Sequence, residues 1–231
     1  MRTEGFFAQW RSSRLNALQN QGQKIPRQAL ESIQKGTLAF TYKGQGCWKS
    51  PFDIALYTLL LQNLRPQTIV ELGSGQGGSA LWFADMADSL ELGTTVYSFD
   101  LNPVTELVDS RIAFEEADIY DLADSRLGEV LQSARHPILI VEDGPHTYEA
   151  CLKALQFCDR YLHRGDYIVI EDGIVQQLGM EAYQDGPQRA IASFVEDRPD
   201  KYKIDRFYCD YYGPNVTWNP NGYLKRIGPE A

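Results

Sequence analysis

Several things this chain lacks narrow its function before anything it has. No apolar run approaches the ~20 residues a membrane-crossing helix needs, and Met1 to Trp10 carries no apolar leader segment. A location in the cytoplasm, away from any membrane, is therefore expected. A basic surplus is also missing: 22 Lys and Arg face 31 Asp and Glu, for a net charge of −9. Binding to a nucleic-acid backbone needs the opposite balance, so no nucleic-acid partner is expected. No C-x-x-C occurs, which removes zinc-knuckle and thioredoxin chemistry. Of the four cysteines, Cys47, Cys151, Cys158 and Cys209, the middle pair falls at i, i+7 on one expected helix. That separates them by about 10 Å along the axis, too far for a disulfide. All four read as reduced thiols packed as small hydrophobes. No tyrosine has a lysine four residues on, as a short-chain oxidoreductase would. None of the three histidines, His136, His146 and His163, begins the His-x-Asp/Glu of a facial-triad iron site. Repeats and low-complexity segments are absent.

What is present fits one globular domain with additions, with ordinary apolar content of 43% in 231 residues. Residues 1–36 are polar and helical in pattern, with Pro26 dividing two helices, and 37–49 reads as a loop with Gly44, Gly46 and several aromatics. We take 1–49 as an N-terminal helical extension and substrate-side loop, and 50–231 as the main domain. Ser50-Pro51-Phe52-Asp53 is a helix start, with a Ser cap, Pro at the first position and an acid in the first turn; the helix runs to about Leu64, before Pro66. Strands then alternate with helices: strand 68–72, helix 79–90, strand 95–100, a short strand near 112–114, helix 122–134, strand 137–142, helix 148–162, strand 166–170 and a helix from Pro187 to about Glu196. Two last strands, near 203–208 and 222–227, flank an aromatic loop. Continuous apolar strands between helices indicate an α/β fold, a mostly parallel sheet with helices on both faces.

The stretch Ile69 to Ser79 organises this pattern. An apolar strand ends in Glu71, glycines follow, and a helix begins near Gly78. Glycines allow a sharp turn and close backbone approach, and the helix start offers free N–H groups and a positive dipole end. Gly73, Gly75 and Gly78 satisfy G-x-G-x-x-G, which admits both a dinucleotide and an S-adenosylmethionine reading. Gly73, Ser74, Gly75 and Ser79 are the loop residues expected to contact either cofactor.

Ligands of an open α/β sheet bind at the carboxyl ends of its strands. Here those ends carry acids: Glu71, Asp100, Asp118, Asp143, Glu171 and Asp172. Asp100 follows the glycines by the distance expected of a ribose-binding acid, and Asp118 stands where an adenine amino group would be met. Glu71 would serve the amino-acid end. Each could instead be a helix cap or turn acid. Asp143, Glu171 and Asp172 converge from neighbouring strands. Three carboxylates with no fixed basic partner suit a hard divalent cation, Mg²⁺ foremost, with capping as the alternative. His146, three residues beyond Asp143, is placed to be a general base beside that ion. His136 and His163 read as structural. Tyr42, Trp48, Tyr208, Tyr211, Tyr212 and Trp218 belong either to a pocket lid or to packing, while Tyr223 reads as packing.

Taken together, Ser50 to Tyr57, Arg65-Pro66 with Ile69 to Ser79, Val141 to His146, Gly165 to Asp172, Gly186-Pro187 and Asn219 to Arg226 resemble the S-adenosylmethionine-dependent O-methyltransferases of the cephalosporin hydroxylase and rhamnosyl O-methyltransferase family. The resemblance spans about residues 42–227. It implies a Rossmann-like class I methyltransferase fold with a seven-stranded sheet and an antiparallel last pair. It also implies Mg²⁺ at Asp143, Glu171 and Asp172, with a base at His146. The expected activity is Mg²⁺-dependent methyl transfer from S-adenosylmethionine to a hydroxyl of a small natural product or sugar-bearing metabolite. The rivals are an NAD-type oxidoreductase and a noncatalytic nucleotide-binding module. Oligomeric state stays open, a homo-oligomer included.

Overall fold

A computed structural model of the chain describes residues 24–229. The first expected helix lies outside the described residues. The second is α1, Arg27–Ala39. It runs three residues further than expected and leads into a small hairpin, β1 Thr41–Tyr42 and β2 Gln45–Gly46, where an irregular loop was expected. The turn works because Lys43 and Gly44 both take positive φ, 50° and 85°, the twist that matches two antiparallel strands.

α2, Pro51–Leu64, begins as the sequence indicates: Ser50 Oγ accepts the Asp53 N–H at 3.2 Å. The sheet then builds from β3 Thr68–Leu72, β4 Thr95–Asp100, β5 Ile112–Glu116, β6 Ile138–Glu142, β7 Tyr167–Ile170, β8 Tyr202–Ile204 and β9 Tyr223–Arg226. Its order is β5-β4-β3-β6-β7-β9-β8. The first five strands are parallel, and β9 is antiparallel to both neighbours.

The strand pleat divides the core in two. Ile69, Leu139, Val141 and Val169 face one layer, with Leu56, Tyr57, Leu60 and Leu61 of α2 and Ala80 to Ala84 of α3, Gly78–Ser89. Val70, Leu72, Ile138, Ile140, Ile168 and Ile170 face the other layer. There they meet α4 Leu127–Ser133, α5 Tyr148–Cys158 and α6 Gly186–Glu196. Period-2 alternation on fully buried strands between helices gives a three-layer α/β/α body. α1 stands outside it, packing Leu30 against Ile174, Leu178 and Trp218.

Other elements also differ from the expected spans. The helix drawn over 122–134 divides into a 3₁₀ turn, Leu122–Asp124, and α4. Ser125 breaks it, donating to the Leu122 carbonyl and accepting the Leu127 N–H. α5 stops at Cys158, four residues early. The strand drawn over 203–208 ends at Ile204, because Asp205 then caps α7, Arg206–Cys209, by accepting the Phe207 N–H at 3.2 Å. All four thiols are free and buried. His136 and His163 stack at 3.7 Å, with His136 Nδ1 2.7 Å from the Asp166 carboxylate, a structural arrangement at the start of β6.

Candidate active site

The carboxyl ends of β3 to β7 open into a cavity of about 540 Å³. It lies where the chain order reverses between β4-β3 and β6-β7, the switch point at which open α/β sheets bind ligands.

One end of the cavity is built from the glycine loop. Gly73 takes φ +108° as the chain leaves β3, and its position admits no side chain, since a Cβ there would meet the Asp143 backbone carbonyl. Gly77, at φ 79°, precedes α3. Asp100 Oδ2 accepts the N–H groups of Ser74 at 2.9 Å and Gly75 at 3.2 Å, so this carboxylate orders the loop as well as facing the cavity. Asp118 Oδ1 accepts the Tyr120 N–H at 2.8 Å. Gly73, Ser74, Gly75, Ser79, Asp100 and Asp118 all line the cavity.

Glu71 does not. The pleat that sends Leu72 to the cavity wall sends Glu71 to the Ile69 face, where it is fully buried. Its Oε2 accepts the Ser98 hydroxyl at 2.6 Å, and Ser98 Oγ lies 2.7 Å from Ser74 Oγ. Burial pushes its pKa up, while Lys49, Ser79 and Ser98 favour the charged form. Glu71 therefore meets the loop through two hydroxyls from beneath, and not in the cleft as expected.

The other end is built on charge. Asp143 follows β6 and Asp172 follows β7. Asp172 and His146 both hold left-handed backbone, at φ 54° and 55°, a strained choice for residues other than glycine. That turn brings His146 Nε2 to 3.2 Å from Asp172 Oδ2 and 3.9 Å from Asp143 Oδ1. One ligand atom from each of Asp143, His146 and Asp172 lies within 4.8 Å of the others. Two carboxylate oxygens and an imidazole nitrogen, gathered on a cavity wall, are a donor set that fits a divalent cation. Burial, reinforced by Asp143, pushes the Asp172 carboxyl up to about 6 against the pull of His146 and Lys49.

Glu171 sits behind this group. Its Oε1 accepts the Tyr57 hydroxyl at 2.5 Å, and its Oε2 lies 3.0 Å from Lys49 Nζ. The same ammonium lies 2.5 Å from Asp143 Oδ2. The premise that these carboxylates have no fixed basic partner is thus wrong: Lys49, its side chain 1% exposed, is that partner. Burial works against its charge, yet Asp143, Glu171 and Glu71 hold its pKa well above the usual lysine range. Trp48, the preceding residue, points the other way, onto the cavity rim beside Gly75.

A family model described as Rhamnosyl O-methyltransferase/CmcI matches residues 34–227. The chain belongs to this family. It is accordingly an S-adenosylmethionine-dependent O-methyltransferase, and neither rival activity finds support. A rhamnosyl O-methyltransferase of Mycobacterium tuberculosis (strain ATCC 25618 / H37Rv) is 29% identical over 195 residues, covering 80% of this chain and 78% of the relative. The Mycobacterium leprae (strain TN) rhamnosyl O-methyltransferase is 26% identical over 192 residues, with 80% and 82% covered. Among solved structures, CmcI with magnesium and S-adenosylmethionine superposes with a TM-score of 0.67 at 26% identity, covering 83% of this chain and 78% of that one. MycE with magnesium and S-adenosylhomocysteine, at 16% identity and TM-score 0.54 over 90% and 56%, shares the fold. The sheet is that of a Rossmann-like class I methyltransferase.

Against this family background, sequence reasoning missed Lys49, Tyr57, Ser98 and Tyr183, whose ring meets His146 edge-on at 5.8 Å between centroids. The one local hint for Lys49 was a base directly before a helix cap and beside an aromatic. Of the aromatics, Trp48, Phe99, Tyr120 and Tyr183 line the cavity, whereas Trp218, Tyr208 and Tyr223 are buried in packing.

Proposed function

We propose that the chain transfers the methyl group of S-adenosylmethionine to a hydroxyl of a neutral small natural product or sugar-bearing metabolite, with Mg²⁺ bound at Asp143, Asp172 and Glu171. The observation that carries this reading is the meeting of a glycine loop and the Asp143–His146–Asp172 group in one cavity. Magnesium-bound CmcI and MycE structures support it. Asp143 and Asp172 present oxygens to the cavity; Glu171 would join them only by giving up its bond to Lys49. Bound there, Mg²⁺ supplies Lewis acidity that lowers the pKa of the acceptor hydroxyl.

The protein residues do the rest. Asp100 and Asp118 would hold the ribose and adenine, and the N–H groups at the start of α3 the methionine carboxylate. His146 Nε2 faces the carboxylates at bonding distance and would take the hydroxyl proton. Alignment of that oxygen with the sulfonium methyl provides most of the acceleration.

The acceptor side draws on residues 34–48 as well as on the main domain, since Gln34, Leu38 and Trp48 join Leu178 and Met180 on the wall. Leu38, Trp48 and Met180 are exposed apolar surfaces, and no Lys or Arg among the described residues lines the cavity. A phosphate or carboxylate of the acceptor would find neither to pair with, so a neutral acceptor suits this wall best. No helix among the described residues is long and apolar enough to cross a membrane, in keeping with a cytoplasmic enzyme.

Calorimetry tests the cofactor. S-adenosylhomocysteine should bind at micromolar levels or better, and NAD should give no comparable heat. Preferential NAD binding, or methylation of a phosphorylated acceptor in preference to its neutral counterpart, would overturn this reading.

A further inference from the structure

The hairpin β1–β2 ends in two residues that face opposite ways. Trp48 is 46% exposed on the cavity rim, and Lys49 is buried beneath the carboxylates. Their course is pinned on both sides, by the Cys47 N–H bonded to the Phe40 carbonyl at 3.0 Å and by the Ser50 cap of α2. Lys49 is thus delivered to a set point between the ends of β6 and β7.

At that point its ammonium touches Asp143 Oδ2 at 2.5 Å and Glu171 Oε2 at 3.0 Å. Glu171 spends its other oxygen on Tyr57. Asp143 keeps Oδ1 for the cavity side, 3.9 Å from His146 Nε2. Asp172 and Glu71 add charge nearby. Carboxylates buried side by side repel one another, and bare ones could not stay in this arrangement. Such a pair either takes up a proton or is held by a cation between its members, and here the Lys49 ammonium occupies that place.

We infer that Lys49 is a tethered cation that holds Asp143 and Glu171 together until a divalent ion takes its place. The inference rests on the proposed cation site. Lysine suits this duty in a way arginine does not: its ammonium is a compact point charge on a four-carbon stem that can withdraw, whereas a guanidinium is a wide planar fork. Lys49 is in this sense a positioning residue. It acts through the two carboxylates and does not reach the acceptor.

A lysine that only fills a buried pair makes a different prediction from one that stands in for an ion. In the first case removing it costs stability that no added cation restores. In the second the loss is repaired by the ion. The test uses the full chain, stripped with EDTA, as wild type, Lys49→Met and Lys49→Arg. Thermal unfolding and Mn²⁺ calorimetry are followed with and without cation. The wild type should keep its midpoint in EDTA. Lys49→Met should lose roughly 5–15 °C there, the scale set by an uncompensated buried pair. Millimolar Mn²⁺ or Mg²⁺ should return most of that loss. Mn²⁺ should also bind Lys49→Met at least about tenfold more tightly than wild type, because a like charge a few ångströms from the ion has gone. Lys49→Arg keeps the charge and should resist EDTA as the wild type does, but its wide guanidinium cannot withdraw, so it should bind Mn²⁺ no more tightly than wild type. The double variant Lys49→Met/Glu171→Gln, with one negative charge fewer, should recover midpoint in EDTA and respond less to cation.

The inference is overturned if Lys49→Met is equally unstable with and without the ion, or is never recovered folded even in its presence. It is also overturned if its Mn²⁺ affinity equals that of wild type, or if Lys49→Arg behaves as Lys49→Met does. A wild type that binds no Mn²⁺ would overturn the cation site itself. Binding by wild type with an unaltered Lys49→Met would overturn the role of Lys49 alone.

Discussion

Two clusters in this molecule set bases among several acids, and the same hairpin feeds both. At its near end, Tyr42 donates to Asp85 at 2.8 Å and Lys43 pairs with Asp85 at 2.5 Å. Arg111 joins Asp85, Asp88 and Asp109 there, at 3.0, 2.5 and 2.5 Å. At its far end, Lys49 joins Asp143 and Glu171. The pairings are alike and the surroundings are not. The Arg111 guanidinium is 28% exposed and Asp88 is 62% exposed, whereas Lys49 is 1% exposed. Water screens the first cluster, so its worth is modest and structural. The second is desolvated, which makes it costly to assemble and strong in its effect on charge. The carboxyls register the difference in opposite directions. Hydrogen bonds from Arg111 hold Asp109 down to about 2, and burial pushes Glu171 up despite Lys49 beside it. A cluster that stabilises lowers the pKa of its acids. A cluster that retains carboxylates at raised pKa spends stability, and that expense marks a site of chemistry.

If the buried cluster is the chemical one, its removal should have the largest effect. His146→Ala and Asp172→Ala should each lose turnover by roughly 10²–10⁴, the usual contribution of a positioned proton acceptor or its partner. S-adenosylhomocysteine affinity, measured by calorimetry, should stay near wild type in both. An equal loss of cofactor affinity would erase the division between the two ends of the cavity.

Asp100 lies between the extremes, a carboxylate that accepts the backbone N–H groups of Ser74, Gly75 and Asn102. Asp100→Ala should weaken S-adenosylhomocysteine binding by about 1–3 kcal/mol, as the loop N–H groups lose their acceptor. Turnover at saturating cofactor should fall far less than in His146→Ala.

The smallest effect belongs to the exposed cluster. The folded-state pKa of Asp109, about 2, lies below its ordinary 3.8. Its pairing with Arg111 therefore contributes fully above pH 4 and is lost as pH falls from 4 through 2. No more than about 2 kcal/mol should disappear across that window. Asp109→Asn should unfold with a shallower acid limb and wild-type turnover at neutral pH. Loss of activity in this variant would mean that the two clusters are not separate in function.

This contrast also explains what the sequence disclosed. The glycine loop, the helix cap at Ser50 and the strands that lead into Asp100, Asp143 and Asp172 are local signals, since each is set by neighbours within a few residues. The expected strands 68–72 and 95–100 match β3 and β4 at both ends. Lys49 and Glu171 are joined across 122 positions, and no spacing rule reports such a pair. Glu71 misled for a related reason: its place at a strand end is legible, but which way it faces depends on the pleat and on Ser98 of the neighbouring strand. The strand drawn into 205–208 failed because Asp205 capping outweighed an aromatic run that suits a strand.

At the centre stands the partly buried group of Asp143, His146 and Asp172, proposed to activate the acceptor with a divalent ion. Transfer of labelled methyl from S-adenosylmethionine to a neutral hydroxyl acceptor, measured after EDTA treatment and again after adding Mg²⁺, tests it most directly. Transfer should be abolished in chelator and return with Mg²⁺. Full transfer in chelator would contradict it and return those carboxylates to a structural role.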